Sequence, residues 1–493
     1  LIQRSLTLNP QYAEAHNNLG VIFSDQGLYT KAIHSIQHAL TLNPHYVEAH
    51  NNIGNVLVKQ GQCQQAIAHY RKALSLKSSY VNAHHNLLFA LHYALDYDNI
   101  AIFLEHQNFN AQHAQSLANS RQPHQNARHP NKILRIGYIS PDFRRHSVAY
   151  FMEAILAHHN HQQFEIYCYS NHLNKDEVTQ QLQTYANSWL TCVDFTDEIL
   201  ANQIRHDQID ILVDLAGHTA ENRLLVLARQ PAPIQISYLG YPNTTGLTSI
   251  DYRITDHYAD PEGVESLSTE TLMRMPNSYF CYQADAESPP VSQLPALEQG
   301  YLTFGSFNNY AKLNEKILSF WAQILKAIPK AKLRVKAKSL NDPATQTIFQ
   351  AQLANLGIEA ERLILVTYAP STETHLQTYA QVDIGLDTYP YNGATTTCEA
   401  LWMGVPVVTL VGERHASRMG LSILSALGLT ELIAHTPDEY IQICVKLAQD
   451  INYLQKLRNQ MRERMQTSPL MDGATFTHHL ETNYRQIWKK WCH

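Results

Sequence analysis

The first 95 residues repeat at a fixed interval, and a repeat of that length leaves few folds open. Leu8-Asn9-Pro10 returns as Leu42-Asn43-Pro44, 34 residues later. The same shift relates Ala15, Ala49 and Ala83, Gly27 and Gly61, Ala32 and Ala66, and Ala39 and Ala73. Small residues at these places suit two antiparallel helices that cross closely. The proline falls where one helix pair ends and the next begins, because it cannot continue a helix. Such a pair cannot bury its apolar face alone and must stack on its neighbours. Residues 1–8 read as the end of the second helix of a pair, so the chain starts inside it. With Leu1 in place of Met at the start, this leads us to expect a fragment with further repeats before it.

The interval and the residue pattern resemble the tetratricopeptide repeat and predict an α-solenoid over residues 1–95. Asn18, Asn52 and Asn86 recur at the same spacing. On successive first helices they form a ladder on the concave surface, where side-chain amides can hold the backbone of an extended peptide. The alternative is a solvated polar face. Arrays of this kind take protein partners, and association of copies through the repeats is a further expectation.

Composition narrows the rest. The 493 residues carry 37 basic and 43 acidic side chains, a net charge of −6, and only 16% of residues are charged. That argues against binding nucleic acid by bulk charge. No apolar run approaches the roughly 18 residues that span a bilayer. The seven cysteines are scattered without a C-x-x-C pair, which fits neither a disulfide framework nor a zinc site and points to a reducing, cytoplasmic setting. Residues 96–131 connect the repeats to the remainder of the chain: 96–118 look helical and 119–131 form a polar linker. Asp96-Tyr97-Asp98 is the only D-x-D triplet. It lies far from any phosphate-binding signal and reads as solvated surface.

From residue 132 short β-rich runs alternate with helical segments, the pattern of parallel sheets covered on both faces. Strands are expected at Ile133–Ile139, Phe164–Tyr169, Asp210–Leu215 and Gln235–Gly240, with a helix at Ala149–His158. After a loose stretch at 285–300 a second series runs Leu302–Phe307, Leu333–Ala337, Leu363–Tyr368, Val382–Thr388 and Pro406–Val411. The reading is two doubly wound lobes, 132–296 and 297–493, with a ligand beyond the carboxyl ends of the strands. Neither a G-x-G-x-x-G after a strand nor a P-loop is present.

The richest stretch is 382–404. A strand enters the turn Tyr389-Pro390-Tyr391-Asn392-Gly393, and Thr395-Thr396-Thr397 opens a helix that Gly404 closes. A helix N-terminus offers N–H groups and positive partial charge to a phosphate, and threonine hydroxyls add donors. Glu399 can accept from ribose hydroxyls. The alternative is an ordinary Thr-capped helix. Lys312, in Ser306-Phe307-Asn308-Asn309-Tyr310-Ala311-Lys312, comes after the first strand of the second lobe and can neutralise a diphosphate leaving group without a metal; the alternative is a surface lysine. In the first lobe His146, after Pro141-Asp142-Phe143, can shuttle a proton or donate a hydrogen bond. His218 and Tyr241 lie in loops that can line a cleft, as can Asn308. Cys398 has no base placed for it and reads as inert packing.

Together these segments resemble the O-GlcNAc transferase/SPINDLY family of protein O-glycosyltransferases. The resemblance rests on the repeats, on Arg135-Ile136-Gly137-Tyr138, Asp142-Phe143 and His146-Ser147, on Arg229-Gln230-Pro231-Ala232-Pro233-Ile234-Gln235 and Leu239-Gly240-Tyr241-Pro242, and on Phe307-Asn308-Asn309, Lys312, Leu386-Asp387-Thr388 and Thr395-Thr396. It covers essentially the whole chain. It implies a GT-B fold, two Rossmann-like lobes, with inverting, metal-independent transfer of a sugar from a nucleotide diphosphate to a Ser or Thr hydroxyl of a protein. By position, Lys312 matches the family's diphosphate-binding lysine, and Thr395 and Thr396 its phosphate-binding threonines. His375 matches the histidine that packs on the base, and His146 the first-lobe histidine near the acceptor. Asn309 stands where animal enzymes have Gln, Glu399 where they have a ribose-binding Asp, and Ala394 where they have His. Ser371-Thr372 replace a lysine. Several of these segments look more like the SPINDLY branch, which in plants transfers fucose from GDP-fucose. The donor is thus UDP-GlcNAc, the commoner family activity, or GDP-fucose, with no metal cofactor. The remaining alternatives are a non-enzymatic repeat scaffold and a small-molecule glycosyltransferase with a decorative repeat.

Overall fold

The computed structural model describes residues 2–367 and 371–493. It divides the chain into two compact units. One holds residues 1–97, 286–413 and 429–463; the other holds 98–285, 414–428 and 464–493.

The first unit begins with paired helices: α1 (Ile2–Leu8), α2 (Ala13–Asp25), α3 (Tyr29–Leu42), α4 (Val47–Lys59), α5 (Cys63–Leu76) and α6 (Val81–Leu91). The repeating alanines are buried at their crossings. Gly20 shows how close the helices come: a methyl there would lie 2.4 Å from the Ile36 side chain. Leu1, on which the reading of the chain's start partly falls, lies outside the described residues.

The same unit carries a six-stranded sheet built from β8 (Thr303–Ser306), β9 (Lys332–Lys336), β10 (Leu363–Val366), β11 (Ile384–Leu386), β12 (Val407–Leu410) and β13 (Ile433–Ala434). The strands lie in the order β10-β9-β8-β11-β12-β13, parallel throughout. All five expected strands form, four a little shorter than read and β9 of the same length but one residue earlier; Tyr368, at the end of the third, lies outside the described residues. The two-residue β13 is too short for periodicity to show.

The second unit holds a seven-stranded sheet of β1 (Leu134–Ser140), β2 (Phe164–Ser170), β3 (Ser188–Thr191), β4 (Ile211–Asp214), β5 (Ile234–Ser237), β6 (Tyr252–Asp256) and β7 (Thr271–Met275). Its order is β3-β2-β1-β4-β5-β6-β7, again all parallel. The sequence reading recovers β1, β2, β4 and β5 and misses three. The edge strand β3 has no buried residue, and β6 and β7 carry Arg253, Asp256 and Arg274, which mask their apolar alternation. The connection after the repeats is helical from Asn99 to Phe109 (α7), then widens and tightens through Ser120. Asp98 caps α7 by accepting from the Ala101 N–H at 2.7 Å; Asp96 accepts from Gln64.

Both sheets reverse direction between their first strand and the strand paired on its other side, β1/β4 in one and β8/β11 in the other. At such a switch point the loops splay apart and leave a crevice at the carboxyl ends. Among the described residues no helix is long and apolar enough to cross a membrane, and no group of three or more His, Cys, Asp or Glu side chains is placed to hold a metal ion.

Candidate functional site

Lys312 and the Thr395 helix leave the two switch strands of the six-stranded sheet. Lys312 ends a short turn, Tyr310–Lys312, that comes after β8. Asn309 opens that turn, its side chain accepting from the Ala311 N–H at 3.1 Å. Lys312 Nζ donates to the Asn392 carbonyl at 2.6 Å and lies 4.1 Å from the centre of the Tyr391 ring. Burial brings its titration down to about 8, against a smaller opposing pull from Asp387. The lysine is therefore enclosed at the switch point, not a free surface cation.

Asp387 follows directly on β11 and organises the turn beyond it. Its carboxylate accepts from the N–H groups of Thr388 (2.8 Å) and Gly393 (2.7 Å) and from the Thr409 hydroxyl (2.7 Å). Burial raises it to about 6 in spite of these donors. The Tyr389–Pro390 peptide is cis. Gly393 admits no side chain: a methyl there would lie 2.6 Å from Thr396 Oγ1, 2.7 Å from Thr397 Oγ1 and 3.0 Å from Asn308 Oδ1.

The helix itself runs Thr395–Trp402, with Gly404 at φ +80° just beyond its end. Its cap is Ala394, which supplies no side-chain acceptor. The alternative of a Thr-capped helix is thus corrected: the threonines lie within the first turn, and no side chain from the cap meets the first-turn N–H groups. These are the groups a phosphate would take. Thr396 donates its hydroxyl to Asn308 Oδ1 at 3.2 Å, which ties the loop after β8 to the helix. Cys398 is fully buried and its thiol pushed well up by burial, in keeping with inert packing.

One turn into the helix, Glu399 is already engaged. It accepts from His375 Nε2 at 2.8 Å and from the Tyr379 hydroxyl at 3.2 Å. On its other side the His375 ring meets the Lys336 ammonium through Nδ1. Lys336 ends β9 and is lowered to about 8 by burial, Glu399 opposing. The rings of Phe307 and Tyr379 lie 4.5 Å apart beside this row. Sequence reasoning gives no part to Lys336, Tyr379, Tyr391 or Asp387. The signal for two of them is position: a lysine and an aspartate each close to the end of a strand next to or at the switch.

In the second unit His146 comes after β1. Its Nδ1 lies 3.4 Å from Asp142 Oδ1 and 3.3 Å from the Val148 N–H. When Nδ1 accepts from the Val148 N–H, the ring proton sits on Nε2; only the other tautomer, with the Nδ1 proton toward Asp142, leaves Nε2 as an acceptor. The side chain is 38% exposed. Desolvation and then Arg144 lower its titration to about 4, and burial raises Asp142 to about 6, so near neutral pH the ring is neutral beside a carboxylate. His218 and Tyr241 lie deeper. His218 is 2% exposed and its Nε2 contacts the Thr245 carbonyl at 2.7 Å. The Tyr241 hydroxyl pairs with His106 Nε2 at 2.7 Å.

On the repeats the asparagines interlock. Asn52 donates to Asn17 Oδ1 at 3.1 Å and Asn86 to Asn51 Oδ1 at 2.8 Å. Asn17 and Asn51 each donate to the next asparagine, Asn18 and Asn52. Asn18 is exposed, and Asn52 and Asn86 are half-buried. The ladder thus joins one repeat to the next.

Known proteins share this arrangement. The glycosyl transferase family 41 profile matches residues 71–287 and 292–480, and the tetratricopeptide repeat profile matches 13–46 and 47–80. The chain is 44% identical over 371 residues to the probable UDP-N-acetylglucosamine–peptide N-acetylglucosaminyltransferase SPINDLY of Petunia hybrida, a match covering 74% of this chain and 40% of that protein. Its identity to the Arabidopsis thaliana protein named SEC, of the same probable activity, is 33% over 372 residues, covering 73% and 38%. It therefore spans about two fifths of the length of the curated relatives it matches. A solved lysine-to-methionine mutant of the O-GlcNAc transferase from Thermobaculum terrenum superposes with a TM-score of 0.94 at 37% identity, covering all of this chain and 93% of that one.

Proposed function

The chain belongs to glycosyl transferase family 41, and from that membership we propose that it is a protein O-glycosyltransferase, moving N-acetylglucosamine from UDP-GlcNAc to Ser or Thr hydroxyls of proteins gathered by the repeats. The observation that carries the reading is Lys312, enclosed between Asn392 and Tyr391 beside the Thr395 helix. A half-buried ammonium and a helix N-terminus are two sources of positive charge for one diphosphate.

In this reading the acceptor oxygen attacks the anomeric carbon from the face opposite the nucleotide. The new C–O bond forms as the bond to the diphosphate breaks, and the anomeric configuration inverts. Lys312, Thr395, Thr396 and the first-turn N–H groups take the charge that develops on the leaving diphosphate, so no metal is called for. Asn308 and Asn309 hold the Lys312 turn and the helix in register. His375 lies against the base, and Glu399 turns from Tyr379 to the ribose hydroxyls. His146, neutral above about pH 4, receives the proton of the acceptor hydroxyl. His218 and Tyr241 support the loops behind it. Asn18, Asn52 and Asn86 present amides to the acceptor's backbone. The reaction belongs in the cytoplasm, where nucleotide sugars are made, and the cysteines described are all free thiols.

Incubation with a panel of nucleotide sugars and an acceptor mixture, read by mass, tests the proposal. Transfer of one N-acetylhexosamine supports it. Transfer of a deoxyhexose from GDP-fucose replaces the donor, and binding of neither nucleotide returns the chain to a scaffold.

A further inference from the structure

The last repeat packs directly against the turn that carries Lys312. Cys63, at the start of α5, points its thiol at the Ala311 carbonyl, 3.7 Å away. Gly61 lies against the Tyr310 ring, where a methyl would come within 3.3 Å. Both neighbours belong to the Tyr310–Lys312 turn. Just past the end of α6, Tyr93 is buried, at 5% exposure. Its ring stacks on Tyr391 with centroids 5.4 Å apart and planes 21° from parallel. Phe89, from α6, meets both rings edge-on, at 5.5 and 6.3 Å. Tyr391 in turn stands 4.1 Å from the Lys312 ammonium, and the next residue, Asn392, accepts its hydrogen bond.

A continuous line of contact therefore runs from the repeat helix through two stacked tyrosines to the lysine. An aromatic stack of this kind favours a few discrete arrangements over many loose ones. Tyr391 sits in a turn held by Asp387 and by the Thr388 hydroxyl, which donates to the Tyr391 carbonyl at 2.6 Å; its ring packs against Tyr93, stacked, and against Phe89 and His92, edge-on. We propose that Tyr93 is a positioning residue for the diphosphate site, holding the Tyr391 ring against Lys312 so that the last repeat sets where that ammonium lies. The proposal rests on the reading of Lys312 as the diphosphate's cation.

The geometry has a measurable consequence. Lys312 titrates near 8 because it is enclosed, and Tyr391 forms part of that enclosure. Loosening the ring admits water and moves the titration back toward 10.5 while weakening the grip on a diphosphate. No hydrogen bond of the Tyr93 hydroxyl enters this account; the ring alone does.

Tyr93→Leu keeps the site apolar and removes the stack; Tyr93→Phe keeps the stack; Tyr391→Leu removes the other partner. The lysine titration is followed by NMR on 13C-lysine protein, with Lys312→Arg assigning the signal, and pyrophosphate affinity by calorimetry. Neither readout needs turnover, so they stand even where no nucleotide sugar is used. The expected result is a Lys312 titration at least one pH unit higher in Tyr93→Leu and about fivefold weaker pyrophosphate binding. Tyr93→Phe restores both, and the double Leu variant is no worse than either single one. A Tyr93→Leu protein with unchanged thermal midpoint, Lys312 titration and pyrophosphate affinity overturns the proposal. So does a loss of affinity that comes with global unfolding and is shared by Tyr93→Phe.

Discussion

Replacing Lys312 with Met separates what the lysine does for the reaction from what it costs the fold. A lysine whose titration falls from 10.5 to about 8 on folding is held charged at an expense of about 3 kcal/mol below pH 8, at 1.36 kcal/mol per pH unit. The sign comes from proton counting. Between pH 8 and 10.5 the unfolded chain holds more protons than the folded one, so this group's contribution to stability rises with pH. Below pH 8 the full expense is present; above 10.5 it is gone. The contact with Tyr391 returns about 1 kcal/mol, the hydrogen bond to Asn392 about 1 kcal/mol more, and Met retains the packing of the stem. The Lys312→Met protein is therefore more stable than the parent by about 1 kcal/mol at pH 7, seen as a thermal midpoint about 2–4 °C higher. The advantage shrinks as pH rises from 8 toward 10. Sugar transfer falls over the same substitution by about a hundred- to a thousandfold, the usual loss on removing one preorganised charge from a leaving group. Differential scanning calorimetry at pH 7 and 9.5, beside a transfer assay, checks both. A variant less stable than the parent at pH 7, or one with undiminished transfer, refutes the reasoning.

Other outcomes rest on the same contacts. With His146 as the proton acceptor, kcat/KM holds down to the range near 6 where Asp142 takes a proton and falls further toward pH 4; a limb at the ordinary histidine value of about 6.5 that persists in Asp142→Asn contradicts that role. Gly393→Ala brings a methyl within 2.6 Å of Thr396 Oγ1 and weakens nucleotide binding at least about tenfold, measured by calorimetry on protein shown to be folded by circular dichroism. Asn51→Leu strips the acceptor from Asn86 and lowers stability by about 1–2 kcal/mol in urea unfolding. Adding Asn86→Leu recovers part of that loss, because the orphaned amide goes with it.

Much of the architecture is legible in the chain. The 34-residue interval marks the helix pairs directly, since spacing and small residues are what close crossing requires. The central strands announce themselves because both their faces are buried. Strand β3 does not, being a four-residue edge with no buried residue, and β6 and β7 do not, because Arg253, Asp256 and Arg274 face partners that only the fold supplies. Arg253, for example, pairs with buried Asp260 at 3.1 Å. At the site, the sequence marks the motif after β11 and the turn after β8, which the structure brings together. What escapes is the part of Lys336 and Tyr379, which carry no motif and join His375 and Glu399 only in the folded chain. The engagement of Asn52 and Asn86 with neighbouring repeats escapes too, because the recurrence of one asparagine does not reveal that Asn17 and Asn51 stand beside it as acceptors.

The central claim is that the six-strand unit holds a nucleotide sugar whose sugar is passed to a protein hydroxyl. The most direct measurement is mass analysis of acceptor proteins after incubation with the parent chain or its Lys312→Met variant and, separately, UDP-GlcNAc and GDP-fucose. The account predicts a mass increment of one N-acetylhexosamine on Ser or Thr, with UDP-GlcNAc only, and its loss in the variant. No increment with either donor, or an increment that survives Lys312→Met, contradicts it.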